Sequence, residues 1–595
     1  MDVAPLREQL RNATQDCSAR GLIFAAKWAA EQLCSLPAAA EKLPVSLVLP
    51  KATETNEKEQ RWAVQDANEH DQMLLGKCLF DMREFDRVAS HLQECKGPRA
   101  IFLKLYSRFL SSDKEAGSVD KEEHGQEEMV VSAEESEQRQ AVARRKRELV
   151  AIRDELEQLD RATGLDAFLL YLLGLVLKAL GQRAQARSAL LRSVHEYPCN
   201  WSAWQLLETC VDAVRQPIES LSTETRGAGW MHHAFMAQML VEQFGGSNQD
   251  FAVHVRHLQQ LFPESPFVQG LLAVRHYSMR EFEDASRLFA QLQKTDPHRL
   301  DLMDIYSNIL YVMEDRARLG ELAHRCAQLD RFRPETCCVI SNYYSLRREH
   351  EKAVGYFQRA LQLDSKYLAA WTLMGHEFIE MKNTAAAVDA YRHAVDVDER
   401  DYRAWYGLGQ TYEMLNMPHY ACSYYMRAAA LRPYDSRMWC ALGSCYESSG
   451  QQRQAIESYR RALLGSAENE AMAITRLAHL YEDSGEQAKA AYYYQLLVEH
   501  AVKNPLSDQP AASGVGSSAL HVSGNGQMDE LAAACLFLAA FENDRGNMAV
   551  AQRYLVQIVD GASSAGASQQ RVEEARAMMR AMNQKGYCCL ATLVY

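Results

Sequence analysis

The chain has 595 residues, and its 65 lysines and arginines against 78 aspartates and glutamates give a formal net charge of −13. Hydrophobic residues make up 47% of the sequence and charged residues 24%, which is ordinary for a folded protein and excludes a wholly disordered chain. The acidic balance argues against a protein that grips nucleic acid through a broad basic face.

A repeat frame is the strongest pattern in the sequence. Trp371, Trp405 and Trp439 recur at the 34-residue period of tetratricopeptide units. Each tryptophan begins a series of aliphatic, small and aromatic residues that share one face of an α-helix, and a second amphipathic helix follows. Because one such helix pair cannot bury its apolar face alone, the sequence predicts an all-α tetratricopeptide solenoid, a superhelix of antiparallel helix pairs.

The frame is uneven along the chain and is broken by an acidic stretch with few aromatics and by a Gly/Ser/Pro-rich stretch. These composition changes divide the chain into six segments. In chain order we predict a helical, repeat-like region over 1–112, an acidic disordered insertion over 113–140, degenerate repeats over 141–299, well-formed peptide-binding repeats over 300–503, a flexible linker over 504–528, and a final repeat with a C-terminal helix over 529–595.

The first helix of each repeat lines the concave groove of such an array. Aligned acids in this groove favour a basic peptide, since a carboxylate pairs well with an arginine guanidinium. The inward-facing positions of the first helices in successive repeats are Asn308, Tyr311, Asn342, Ser345, Thr372, His376, Glu380, Tyr406, Gln410, Glu413, Ser444 and Glu447.

The sequence lacks the patterns that carry chemistry. No phosphate-binding loop, zinc-protease motif or nucleophile elbow occurs, and the 15 cysteines lack metal-ligand spacing, so we interpret them as reduced packing residues of a cytosolic or nuclear protein. The adjacent pair His232–His233 has no further ligands at metal-like spacing. We therefore predict no catalytic centre, no cofactor and no metal site. The charged N-terminus and the lack of a long apolar run predict neither a signal peptide nor a membrane span.

Several stretches resemble one family well beyond the repeat consensus. They are GLIFAAKWAAEQL near the N-terminus, ETCCVISNYYSLRREHEKAVGYFQRALQLD, and AWTLMGHEFIEMKNTAAAVDAYRHAVDVDERDYRAWYGLGQTYEMLNMP. These stretches resemble subunit eight of the anaphase-promoting complex, or cyclosome, almost continuously over 300–450. Non-consensus segments such as NYYSLR and HEFIEMKN belong to the resemblance.

The resemblance implies a non-catalytic subunit of a multisubunit RING-type ubiquitin ligase that marks mitotic cyclins and securin for degradation, in the nucleus and cytoplasm. It implies a homodimer through the N-terminal repeats and, as neighbours, other repeat subunits, a scaffold subunit and the cullin-like and RING subunits. It also implies that the C-terminal repeats bind a basic motif of the coactivator. We assign Asn342 and Glu377 to the arginine of that motif and place Tyr343 in the same groove.

Two alternatives stay open at this point. The chain is another repeat subunit of the same complex, or it is a repeat adaptor of the chaperone-cofactor type that binds acidic C-terminal tails. Such an adaptor needs a lysine and asparagine clamp on successive first helices, and the sequence has Cys338 and Leu373 at two of those positions. The missing clamp argues against the adaptor.

Overall fold

The computed structural model describes residues 4–36, 62, 65–66, 69–122, 131–211, 225–242, 248–465, 470–503, 524–561 and 569–592. Every regular element in these ranges is a helix, which confirms the predicted all-α class. Within them, no helix combines the length and apolarity that a bilayer crossing requires. The chain divides into two units, Met1–Pro297 and His298–Tyr595, and each is built largely from antiparallel helix pairs.

The first unit begins with a helix pair that precedes the repeat-like pairs. The helices described in this unit are α1 (Ala4–Ala19), α2 (Ile23–Cys34), α3 (His70–Asp81), α4 (Phe85–His91), α5 (Pro98–Glu122), α6 (Val131–Ala162), α7 (Ala167–Ala179), α8 (Arg183–Glu196), α9 (Trp201–Cys210), α10 (Trp230–Glu242), α11 (Asn248–Leu261), α12 (Pro266–Ser278) and α13 (Phe282–Thr295).

A tryptophan stack docks the N-terminal pair onto the rest of the first unit. The Trp28 ring on α2 is nearly parallel to the rings of Trp201 and Trp230, at centroid distances of 4.5 and 5.7 Å. The three side chains are 4%, 2% and 1% exposed. Burial of such large aromatic surfaces is a major source of packing free energy, so α2 is an integral part of this core.

The second unit continues the pairing from its first helix onward. The helices described in this unit are α14 (Met303–Val312), α15 (Arg316–Leu329), α16 (Pro334–Leu346), α17 (His350–Leu363), α18 (Leu368–Glu380), α19 (Thr384–Val397), α20 (Tyr402–Met414), α21 (Pro418–Leu431), α22 (Ser436–Ser448), α23 (Gln452–Ala462), α24 (Glu470–Asp483), α25 (Gln487–Lys503), α26 (Gly524–Asp544), α27 (Met548–Gly561) and α28 (Gln569–Thr592).

The acidic stretch differs from its prediction. The sequence predicts disorder over 113–140, whereas in the structure α5 extends to Glu122 and α6 begins at Val131. Its Glu, Lys, Gln and Ala residues are good helix formers, and extending an existing helix costs less than nucleating one. Residues 123–130 lie outside the described residues. Residues 504–523 of the predicted linker also lie outside them, and the last residues of that linker, 524–528, form the first turn of α26.

The repeated tryptophans hold the turns between repeats. The indole Nε1–H of Trp371, Trp405 and Trp439 donates to the backbone carbonyl six residues earlier, at 3.0, 2.8 and 2.8 Å. Each acceptor lies in the turn that leads into the repeat. In the first unit, Trp204 makes the same bond to the carbonyl of Pro198 at 2.7 Å. The tryptophan therefore fixes where each new repeat begins.

Glycines on the first helices set the spacing within a pair. A Cβ atom added to Gly409 would lie 2.6 Å from the ring of Tyr425, and one added to Gly443 would lie 2.7 Å from the ring of Tyr459. Both rings project from the second helix and are buried. The missing side chain lets a large ring lie directly against the backbone of the facing helix.

We expect Gly409→Ala to destabilise the α20–α21 pair by about 1–3 kcal/mol, because the added methyl group overpacks the Tyr425 ring. The matched control is Gly355→Ala on α17, where an added Cβ meets nothing within 4 Å and helix propensity alone should stabilise by up to about 1 kcal/mol. Native-state hydrogen exchange of both helix pairs measures the two opening free energies. Equal shifts of the same sign would contradict the close-approach explanation.

Candidate functional site

A ladder of side-chain hydrogen bonds joins the first helices of successive repeats in the second unit. Asn342 on α16 donates through Nδ2 to Oδ1 of Asn308 at 2.7 Å and to Oγ of Ser307 at 2.8 Å, both on α14. Because Asn308 Oδ1 can only accept, this pairing fixes the orientation of the Asn342 amide. Among the described residues, the Asn342 Oδ1 atom accepts no hydrogen bond, so it remains as an acceptor.

The ladder continues one turn further along α16. The Ser345 hydroxyl lies 3.2 Å from the Tyr311 hydroxyl of α14 and donates to Oε1 of Glu377 on α18 at 2.6 Å. Three successive first helices are thus linked through Ser345. Since each link joins equivalent or neighbouring positions of adjacent repeats, the ladder exists only when the repeats stack.

Glu377 is the most unusual charged group of this ladder. Its side chain is buried, and besides the Ser345 hydroxyl it contacts Nδ1 of His350 at 2.8 Å. Burial raises the pKa of the Glu377 carboxyl above its ordinary value. The part of the chain that the structure describes brings no lysine or arginine to this carboxylate. The ladder therefore holds a desolvated acceptor that a cation would stabilise.

Other predicted groove residues bond to the second helix of their own repeat. Nδ1 of His376 lies 2.7 Å from the Tyr391 hydroxyl, and burial lowers the pKa of His376 to about 4, so this ring is neutral at pH 7. Glu413 accepts a 2.9 Å bond from the Tyr425 hydroxyl, and burial raises the pKa of Glu413. Tyr406 packs its ring 5.3 Å from that of Tyr425, and burial raises the pKa of Tyr406 to about 12.

Three predicted residues lie apart from these contacts. Gln410 is buried on α20, whereas Glu380 is exposed at the last turn of α18. Tyr343 packs beside Gly320 of α15, and its hydroxyl accepts a 3.2 Å bond from the guanidinium of Arg347. The structure thus brings Asn308, Asn342 and Glu377 into one ladder, and directs Tyr343 toward the preceding repeat.

Two polar residues that contact the predicted groove residues, His350 and Asp401, were not predicted from the sequence. His350 is the first residue of the second helix α17, outside the positions that the frame assigns to the groove, yet it reaches Glu377. Asp401 precedes α20 and caps it by accepting from the Arg403 backbone N–H at 3.0 Å, and it also accepts a 2.9 Å bond from Thr372. An aspartate before a helix is a readable N-cap signal, whereas nothing in the sequence marks His350.

Comparison with known proteins gives matches in both halves of the chain. Residues 5–273 match the family model described as "Anaphase promoting complex subunit 8 / Cdc23". Residues 368–401, 402–435 and 436–464 each match a tetratricopeptide repeat model, in the register that the tryptophans predict.

Curated relatives share this assignment. Anaphase-promoting complex subunit 8 of Arabidopsis thaliana is 36% identical over 408 residues, which cover 64% of this chain and 66% of the relative. Subunit CDC23 of Saccharomyces cerevisiae is 33% identical over 437 residues, with 64% and 70% covered. The cell division cycle protein 23 homolog of Mus musculus is 41% identical over 330 residues, with 55% and 50% covered. The chain thus matches between half and 70% of the length of these relatives.

We expect Ser345→Ala to lower the free energy of unfolding of the second unit by about 1–3 kcal/mol, because it removes a donor from the buried Glu377 carboxylate. Ser423→Ala is the matched control, since Ser423 is exposed and donates only within its own helix; it should change stability by less than about 0.5 kcal/mol. Urea unfolding followed by far-ultraviolet circular dichroism compares the two variants. A Ser345→Ala profile that overlays the control would show that the ladder adds no stability.

Proposed function

Because this chain belongs to the anaphase-promoting complex subunit 8/Cdc23 family, we propose that it is a non-catalytic repeat scaffold of that ubiquitin ligase. In this role it holds other repeat subunits, the scaffold subunit and the cullin-like and RING subunits, and supports ubiquitination of mitotic cyclins and securin in the nucleus and cytoplasm. Membership of this family does not support the two alternatives, a different repeat subunit of the same complex and a repeat adaptor of the chaperone-cofactor type. Stacked helix pairs suit the role, since they present long continuous surfaces to partners.

We propose further that the ladder on α14, α16 and α18 binds the arginine of a basic motif in the coactivator. The single observation that supports this is the buried Glu377 carboxylate, which His350 and Ser345 hold in place. An arginine guanidinium is planar, always charged and weakly hydrated, so it pairs with a desolvated carboxylate at a lower cost than an ammonium does. The Oδ1 atom of Asn342, which accepts no hydrogen bond from the described residues, suits a second N–H of the same group.

We also propose that the first unit mediates a homodimer. Its support is a set of apolar side chains that this unit leaves in solvent. Ile23 and Phe24 on α2 are 69% and 55% exposed, and Leu74 and Leu75 on α3 are half exposed. Each of these two helices therefore offers an adjacent pair of exposed apolar side chains to a second copy of the chain.

Two copies of the chain carrying different tags, expressed together in native cells, test the scaffold and the dimer. Isolation through one tag should recover the other copy and the cullin-like and RING subunits, together with ubiquitin-ligase activity on a mitotic cyclin fragment. Recovery of chaperones without ligase activity would contradict the scaffold role. Recovery of the ligase without the second copy would contradict the dimer alone.

Glu377→Arg should abolish binding of a synthetic peptide that spans the coactivator's basic motif, because it places a like charge at the acceptor. Glu377→Gln, which keeps the shape, should weaken binding by about 10- to 100-fold through loss of a charge-assisted bond. Glu321→Arg is the matched control, since Glu321 is exposed on α15, a second helix, and is not among the predicted groove residues. Calorimetric titration measures the affinities, and circular dichroism checks the fold of each variant.

The same peptide binding should depend on pH in a defined direction. The carboxylate form of Glu377 binds the cation, and burial raises the pKa of this carboxyl. As the pH is lowered, the affinity for the peptide should therefore begin to fall at a higher pH than the one at which an ordinary glutamate titrates. Glu377→Gln should remove this dependence. Unchanged affinity in both Glu377 variants would exclude Glu377 from the site.

A further inference from the structure

The first unit brings four histidines together between α10 and α11. His232 and His233 lie in the first turn of α10, and His254 and His257 lie one turn apart on α11. The Nδ1 atoms of His233 and His254 are 2.9 Å apart. The His257 ring stacks on that of His233 at 4.6 Å, and the His232 ring lies 5.6 Å from that of His254. The sequence spacing predicts no further ligands for His232–His233, whereas in the structure His254 and His257 of the facing helix lie beside this pair.

The hydrogen bonding of the cluster is incomplete. The His257 Nδ1 atom is buried and has no hydrogen-bond partner among the described residues. A buried nitrogen without a partner costs free energy. His232, by contrast, is held through its Nδ1 atom, 2.8 Å from the hydroxyl of Thr225. One nitrogen of the four-histidine group therefore lacks the bond that a ligand would supply.

We propose that His233, His254 and His257 bind a divalent transition-metal ion of the zinc class between α10 and α11. Imidazole nitrogens select zinc, copper and nickel over calcium and magnesium. A tetrahedral zinc site has zinc–nitrogen distances of about 2.0–2.1 Å, which places neighbouring nitrogens about 3.3 Å apart, close to the separation of the His233 and His254 atoms. His257 is the third ligand of this proposal, because its ring stacks on that of His233 and its Nδ1 atom has no hydrogen-bond partner among the described residues. The fourth position is left for water or an external ligand.

Bound metal would clamp the two helices of this pair. Its ligands come from both helices, so the ion adds a cross-link that neither helix provides alone. Because the ion binds the folded state alone, it also stabilises that state, by a free energy that rises with the logarithm of the metal concentration once this exceeds the dissociation constant. The expected consequence is a rise in the melting temperature of the chain on addition of zinc.

The unit also holds a second, different group of potential ligands that serves as a control. The ligand atoms of His276, Glu281 and Asp284 all lie within 4.8 Å of one another. Glu281 is exposed, and its carboxylate contacts Nδ1 of His276 at 2.6 Å. Because this group is more exposed and mainly oxygen-based, it separates adventitious cation binding from binding by the imidazole cluster.

The test uses the full chain without an affinity tag, stripped with a chelator and exchanged into metal-free buffer. Calorimetric titration with Zn²⁺ should show one ion per chain, and a chain carrying both His233→Gln and His254→Gln should lose about 100-fold or more of this affinity. A chain carrying both Glu281→Gln and Asp284→Asn should bind as the parent does. Circular dichroism checks that both double variants keep their helices.

Two spectroscopic measurements on the parent chain keep the test decisive if the histidine variant fails to fold. Co²⁺ substitution should give the visible absorption of a tetrahedral nitrogen-ligated ion, and zinc-edge X-ray absorption should show a shell of imidazole nitrogens. Absence of stoichiometric binding, loss of binding only in the Glu281 and Asp284 variant, or a sulfur shell would each overturn the proposal.

Discussion

The contact between a glycine of the first helix and a tyrosine ring of the second sets the geometry of the best-formed repeats. With no side chain on Gly409 or Gly443, the rings of Tyr425 and Tyr459 lie against the facing backbone. This approach places each phenol hydroxyl within 2.9–3.0 Å of a glutamate on the first helix, Glu413 in one repeat and Glu447 in the next. The contact that packs the pair therefore also determines the hydrogen bonding of the groove.

The same constraint explains why the acids of the groove are not equivalent. Glu413 is satisfied within its own repeat by Tyr425. In the preceding repeat the matching position is Ile379, so Tyr391 pairs with His376 instead. Glu377 is held by side chains of the repeat before it, Ser345 and His350, and so it lies at a junction between repeats. Among the described residues, no lysine or arginine forms an ion pair with this buried carboxylate.

The core of the first unit includes contacts other than those between neighbouring repeats. Its core includes the Trp28 side chain of α2, which stacks on rings from α9 and α10. A regular array needs only contacts between neighbouring repeats, whereas this stack joins residues far apart in sequence. The histidine cluster belongs to the same irregular region, where the departure from the repeat consensus brings ligating side chains together instead of apolar ones.

Much of the fold was determined by local sequence. The 34-residue spacing of Trp371, Trp405 and Trp439 and the small residues on one helix face predict the helix pairs and their register, since periodicity is a property of neighbouring residues. Asn308, Asn342 and Ser345 were predicted for the groove for the same reason. Composition predicts disorder over 113–140, but it carries no information on helix propagation from flanking turns, and α5 and α6 extend into both ends of this stretch.

Tertiary structure alone decided the rest. The Ser345–Glu377 bond, the approach of His350, the Trp28 stack and the His233–His254 pair each join residues on different helices. Their contacts depend on how one helix pair stacks on the next and on which rotamers the packing allows. Neither can be read from the spacing of residues in the sequence. The sequence therefore determined the repeating unit, and stacking of the units decided which polar side chains are buried, paired and left able to bind.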